Sequence, residues 1–177
     1  MKKSRGFTYI ELLVVMAILA VAAVLLLGSL SVIYSSSAKS CAKSIVSALS
    51  ECKVDAMSRT GNSYLLFYQT DEGMVLDYYR SGVLIPPETV VKKVLNVSWT
   101  DSNGTVHSAP TETMPLCFTF NRSTGSFLTL DESASAAGKT AGYGTGLYCR
   151  SIQVSGGSQT YTVTLVPATG RFGLELS

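Results

Sequence analysis

SRGFTYIELLVVM, residues 4–16, joins a basic leader to an apolar run and sets one carboxylate, Glu11, where the two meet. From Leu12 to Leu30 the sequence holds no charge, and Ser29 is its only hydroxyl. A stretch of about 19 such residues has the length of a membrane-spanning helix. A carboxylate inside a span costs about 2.5–3.5 kcal/mol on insertion scales, so such residues usually serve a function. Glu11 is therefore expected to pair with a positive charge on another subunit. The plainer reading is a carboxylate resting among lipid headgroups near the start of the helix.

Lys2, Lys3 and Arg5 precede the apolar run, and positive charge of this kind holds a segment on the cytoplasmic side. Without the first six residues, 11 basic residues face 12 acidic ones, a net charge of −1, against +2 for the whole chain. The exported part thus offers no general electrostatic argument for nucleic acid. Ala20-Val21-Ala22 satisfies the small-x-small pattern of an ordinary secretory cleavage site. Two features oppose that reading: Glu11 would fall in the hydrophobic core of the signal, and Ala23–Leu27 are as apolar after the cut as the residues before it.

With 177 residues, 46% of them hydrophobic and 15% charged, the chain suits one domain plus an anchor and excludes a disordered polymer. No proline occurs before Pro86, and helix-compatible residues run from Phe7 to about Arg59. One helix of roughly 80 Å follows, far longer than a bilayer needs, so its second half projects from the membrane. In that half Cys41, Ile45, Ala48, Leu49, Cys52 and Ala56 recur at intervals of three and four, with Lys39, Lys43, Lys53 and Asp55 elsewhere on the wheel. This face is expected to pack on the remainder of its own chain. Gly28, beside Ser29 and Ser31, is either a weak point of the helix or a small residue at a close contact.

Beyond Thr60-Gly61, short runs rich in aromatic and β-branched residues alternate with turn signals. NSYLLFYQ and MVLDYYR flank residues 70–73, VLNVSWT and TVHS flank 101–104, LCFTF and SFLTL flank 121–125, and YCRSIQV and TYTVTLV flank 155–158. Each pair reads as a hairpin, and RFGLEL as a final strand. The fold class is α+β: a long N-terminal helix packed on an antiparallel β-sheet domain. Residues 132–146, ESASAAGKTAGYGTG, read as a mobile loop. The organisation expected is a leader over 1–6, an apolar helix over 7–31, an amphipathic continuation over 32–60 and an exported β-rich domain over 61–177.

Chemistry finds little support. There is no Gly-x-Ser-x-Gly elbow, phosphate loop or cysteine-histidine spacing for a metal, and the single His107 reads as a surface residue at a hairpin end. Asp101-Ser102-Asn103-Gly104 reads as a tight turn, because its glycine stands fourth where a calcium loop needs it sixth. No enzyme activity, cofactor or metal is expected. Cys41 and Cys52 share a helix face but lie roughly 16 Å apart along it, too far to bond each other. A Cys117–Cys149 bridge, two helix-to-sheet bridges or four buried thiols all remain open.

The junction of residues 1–30, with its short basic leader, Gly6-Phe7, Glu11 four residues on and an unbroken apolar helix, resembles the type IV prepilin signature shared by pilins and the pseudopilins of type II secretion. The resemblance implies a pilin fold, cleavage after Gly6 by a prepilin peptidase, N-methylation of Phe7, and assembly with other major and minor pilins or pseudopilins. It also implies a single-pass intermediate in the cytoplasmic (inner) membrane, in contact with lipid, with its β domain outside the cytoplasm. The final location is then a filament at the cell surface or in the periplasm. Glu11 takes the role of accepting a neighbouring subunit's N-terminal amine. AKSIVSALSECKVDAMSRTGNSYLLFY, FTFNRSTG and TVTLVPATGRFGLEL are similar to segments of the H-type (GspH/FimT-type) minor pseudopilins and pilins. Some related minor pilins take up DNA through basic residues of the sheet domain. Here Arg122, Lys139, Arg150 and Arg171 would have to converge through folding to do so.

Overall fold

The computed structural model describes residues 8–58, 61–91, 95–140 and 142–176, and within these omits the side chains of 24–30 and 86–90. The leader, Gly6 and Phe7 therefore lie outside the described residues.

Helix α1 spans Tyr9–Ser58, 50 residues without a break, and so runs about 75 Å. Gly28 falls inside that unbroken helix. Among the described residues no helix is long and apolar enough to cross a membrane. The side chains of 24–30, which complete the Leu12–Leu30 run, stand outside that statement. The two halves of α1 differ sharply. From Tyr9 to Ala23 every residue is exposed. Lower down, Ala38, Cys41, Ala42, Ile45, Leu49 and Cys52 are fully buried, and they recur at the spacing that turns one helical face inward.

The expected hairpins supply most of the β domain. β1 (Tyr64–Thr70) turns back through Gly73 into β2 (Gly73–Arg80), in continuous antiparallel register. β3 (Val83–Val91) and β6 (Leu116–Phe118) flank them, giving a sheet ordered β3-β2-β1-β6. β4 (Asn96–Asp101), β5 (Val106–Ser108), β7 (Cys149–Gly156), β8 (Gln159–Val166) and β9 (Arg171–Leu176) form a second, ordered β5-β4-β7-β8-β9. Both sheets contact the lower half of α1. One continuous core joins that half to Leu65, Phe67, Trp99, Ile152 and Val163. The helix face thus finds its partner within its own chain.

One strand goes unannounced in the sequence, and two expectations need correction. β3 escapes a sequence reading because it carries Pro86 and Pro87; it is an edge strand, where a missing amide donor is tolerated, and its pairing with β2 shifts register twice. The third hairpin has only one strand arm. Phe127 makes an isolated bridge to Phe120, and the chain then enters a helix. That helix, α2 (Leu130–Ala136), occupies the start of the supposed mobile loop. Thr129 caps it: its hydroxyl accepts from the Glu132 amide, and the Glu132 carboxylate accepts from the Thr129 amide, 3.1 Å away. Such a box satisfies donors at a helix start and outweighs the weak helix propensity of Ser and Asp.

None of the disulfide pairings is formed: Cys41, Cys52, Cys117 and Cys149 are all free and buried. Cys149 belongs to the main core, whereas Cys117 packs in a separate cluster with Tyr64, Leu66 and Ala134. A Cys117–Cys149 bridge would have to join two different packing layers. Burial pushes the thiols of Cys41 and Cys52 up to about 12 and that of Cys117 up to about 11, and it raises Cys149 as well. Because the thiolate is the nucleophile, the folded protein at pH 8 is expected to react with a disulfide reagent at all four positions only on unfolding. A colour assay with and without denaturant measures this. The unfolded chain also releases these protons at lower pH than the folded one, so stability is expected to fall as pH rises above roughly 8.5.

Candidate assembly site at the start of the long helix

Thr8 is the residue before the first helical turn, and Glu11 is the third residue of the helix. The Glu11 carboxylate accepts from the Thr8 amide at 3.1 Å and from the Thr8 hydroxyl at 3.0 Å. In return the Thr8 hydroxyl accepts from the Glu11 amide at 3.4 Å. This Thr-x-x-Glu box is the same device that starts α2. It ties up donors a helix start leaves open, and it places negative charge at the positive end of the helix dipole. The sequence reading missed this local role, although the Thr-x-x-Glu spacing of three residues carries the signal.

The box also aims the carboxylate. It is held back toward the chain start, on a helix end that no other described element covers: Tyr9 is 80% exposed and Ile10 71%. Around and below it Leu12, Leu13, Val14, Val15 and Met16 are all about half exposed or more. A rod clad in apolar side chains, with one fixed carboxylate at its tip, can take a cation and an apolar sleeve together. Lipid or the helices of other subunits would supply that sleeve.

At the other end of α1 the polar contacts hold the β domain. Buried Asp55 accepts from the Tyr78 hydroxyl and from Arg80 Nε, both on β2. Burial, then the bond to Asp55, raises the Tyr78 phenol. Lys53 donates to the carbonyl oxygens of Gly170, 2.8 Å, and Thr169, 3.3 Å, and so tethers the β8–β9 turn.

The remaining candidate residues are not gathered into a site. His107 is half-buried and held, not free on the surface. Its ring stacks on Trp99 at 4.1 Å and hydrogen-bonds Asp101 at 3.0 Å, and that bond above all lowers the Asp101 carboxyl. Asp101 also accepts from the amides of Asn103 and Thr105, which makes the segment 101–104 the tight turn expected. Arg122 stands on the turn over 121–125 and Arg171 opens β9 just after Gly170, which abuts Gly125. Lys139 follows α2, and Arg150 lies exposed on β7. Among the described residues there is no group of three or more side chains able to hold a metal ion.

The first 27 residues match a family model described as the prokaryotic N-terminal methylation motif. The chain therefore carries the signal of type IV pilins and pseudopilins, on a fold consistent with theirs. Neither a curated protein nor a solved structure matches it.

Proposed function

We propose that the chain is a minor pilin or pseudopilin, a structural subunit that primes, caps or intercalates in a type IV pilus or type II secretion pseudopilus. In this reading prepilin peptidase cleaves between Gly6 and Phe7, Phe7 is N-methylated, and residues 7–31 hold the subunit in the cytoplasmic membrane until a filament takes it up. The observation that carries the reading is the methylation motif over 1–27 running into an exposed apolar rod that bears a β domain at its far end. The H-type assignment rests on the similarity of FTFNRSTG and TVTLVPATGRFGLEL to segments of that type.

Cleavage creates an amine one residue before Thr8. In an apolar filament axis, attraction between that amine and the Glu11 carboxylate of a neighbour is much stronger than in water, though desolvation offsets part of it. The capping box makes the test specific. Glu11→Gln preserves the cap, because glutamine serves equally in a Thr-x-x-Gln box, but it removes the charge. Mass spectrometry of the cell-derived chain is expected to find it starting at a methylated Phe7. Glu11→Gln is expected to mature normally yet enter filaments at least tenfold less, as an assay of sheared filaments would measure. Normal incorporation would leave Glu11 with its capping role alone, and an intact Met1 or a start at Ala23 would overturn the proposal.

A further inference from the structure

Where α1 passes from its bare half to its docked half, backbone meets backbone. Gly156 ends β7, and Gly157 follows in the β7–β8 turn with φ 62°. A Cβ on Gly156 would overlap the Tyr34 carbonyl oxygen and approach the Ala38 Cβ to 3.0 Å. One on Gly157 would overlap the Ser31 carbonyl oxygen and approach Ser35 Oγ to 2.7 Å. Ser35 Oγ closes the contact, donating toward the Gly156 oxygen at 3.0 Å as well as the Ser31 oxygen at 2.9 Å. Ser31, Tyr34, Ser35 and Ala38 follow the i, i+3, i+4, i+7 spacing of one helix face.

We propose that this Gly156-Gly157 turn is a seat that fixes the axial register of the stem on the head domain and couples the two mechanically. Sliding α1 by one residue would move it about 1.5 Å and turn it about 100°, bringing Val32 or Ile33, exposed at 69% and 46%, against a turn with no room for a side chain. The seat therefore accepts one register. The turn joins β7 to β8, both interior strands of the five-stranded sheet. Axial load on the stem consequently enters the sheet through its middle and is shared by ladders on both sides. The inference rests on this contact, and the proposed function supplies only its use: a subunit pulled or packed by its stem would carry its head at a fixed height.

The test is amide hydrogen exchange on the full chain in detergent, read by mass spectrometry. It compares Gly156→Ala, Gly157→Ala and Ser35→Ala with Gly173→Ala, whose added methyl would meet nothing within 4 Å. The glycine variants are expected to raise exchange in peptides covering 31–38 by roughly tenfold or more, and Ser35→Ala by a few-fold, as loss of one hydrogen bond allows. Peptides covering 45–52 and the Trp99 fluorescence should stay as in the parent and the Gly173→Ala control. Unchanged exchange at 31–38 would overturn the proposal, as would an equal loss of protection at 45–52, which would make the glycines general determinants of stability. If both glycine variants fail to fold, Ser35→Ala decides: a rise confined to 31–38 sustains the seat, and no rise sinks it. The measurement reads the isolated chain, so it stands apart from maturation at Gly6-Phe7.

Discussion

Replacing Trp99 with alanine is expected to lower the unfolding free energy by about 3–5 kcal/mol, the range for a large aromatic removed from a close-packed interior. Trp99 is fully buried on β4, paired with Ile152 of β7 on one side and with His107 of β5 on the other. Its indole lies flat on the His107 ring and meets the edge of Tyr143 at 4.8 Å. Truncation would remove the surface on which both rings rest. Tyr143 anchors the segment after α2 through its hydroxyl, which donates to the Met114 oxygen at 2.5 Å. The loss should therefore appear as a lower melting temperature, by roughly 10 °C, and as faster proteolysis of residues 138–148. Trp99→Phe separates packing from polarity. Among the described residues the indole N–H has no hydrogen-bond partner, so phenylalanine forfeits volume but no bond. It is expected to keep more than half of the lost stability, and a Phe variant as weak as the Ala variant would contradict this account of the site.

His107 shows where reading the chain residue by residue stops working. As a sequence position it is a lone histidine near a turn, and surface exposure is the usual outcome. Its environment is made by hairpin register, which sets Trp99 directly opposite it, and by Asp101, whose carboxylate already collects two turn amides. The turn itself was legible, because Asp-Ser-Asn-Gly supplies both the side-chain acceptor and the glycine with φ 87° that such a reversal needs. The same contrast runs through the fold. Hairpins announced by glycine-bearing turns at 73, 104 and 157 are present, and α1 is as long as the absence of proline implied. β3 was hidden by Pro86-Pro87, since a proline argues against a strand until its place at a sheet edge is known. Both helix caps were present in the text as Thr8-x-x-Glu11 and Thr129-x-x-Glu132. The first is masked because Glu11 also borders the apolar run, where a carboxylate reads first as a partner for charge. The cluster at Asp55 joins it to Tyr78 and Arg80, each more than twenty positions away, and nothing local marks Asp55 as their partner.

Gly170→Ala is expected to be almost as damaging as loss of Trp99, at about 3 kcal/mol, despite adding only a methyl group. Gly170 has φ 60°, a conformation costing a non-glycine residue on the order of 1–2 kcal/mol. The added Cβ would also overlap the Gly125 carbonyl oxygen and sit 3.2 Å from Lys53 Nζ. A flexible side chain could swing aside, but this obstacle is backbone. Gly125 is itself fixed, its amide donating to the Asn121 oxygen at 2.8 Å and its own φ at 67°. The turns over 121–125 and 167–170 must then part, and with them goes the Lys53 tether that joins the β8–β9 turn to the helix. Lys53→Met removes the tether while keeping most of the stem's bulk, and it gives the comparison. It is expected to cost about 1–2 kcal/mol, the worth of charge-assisted bonds to carbonyls at a partly exposed site. Urea unfolding of the two single variants and the double variant measures their coupling. If the Gly170 methyl acts by displacing the turn from Lys53, the double variant should be less destabilised than the sum of the singles by about 1 kcal/mol. Strict additivity would mean that the two turns separate without disturbing the helix contact, and the proposed path of the strain would be wrong.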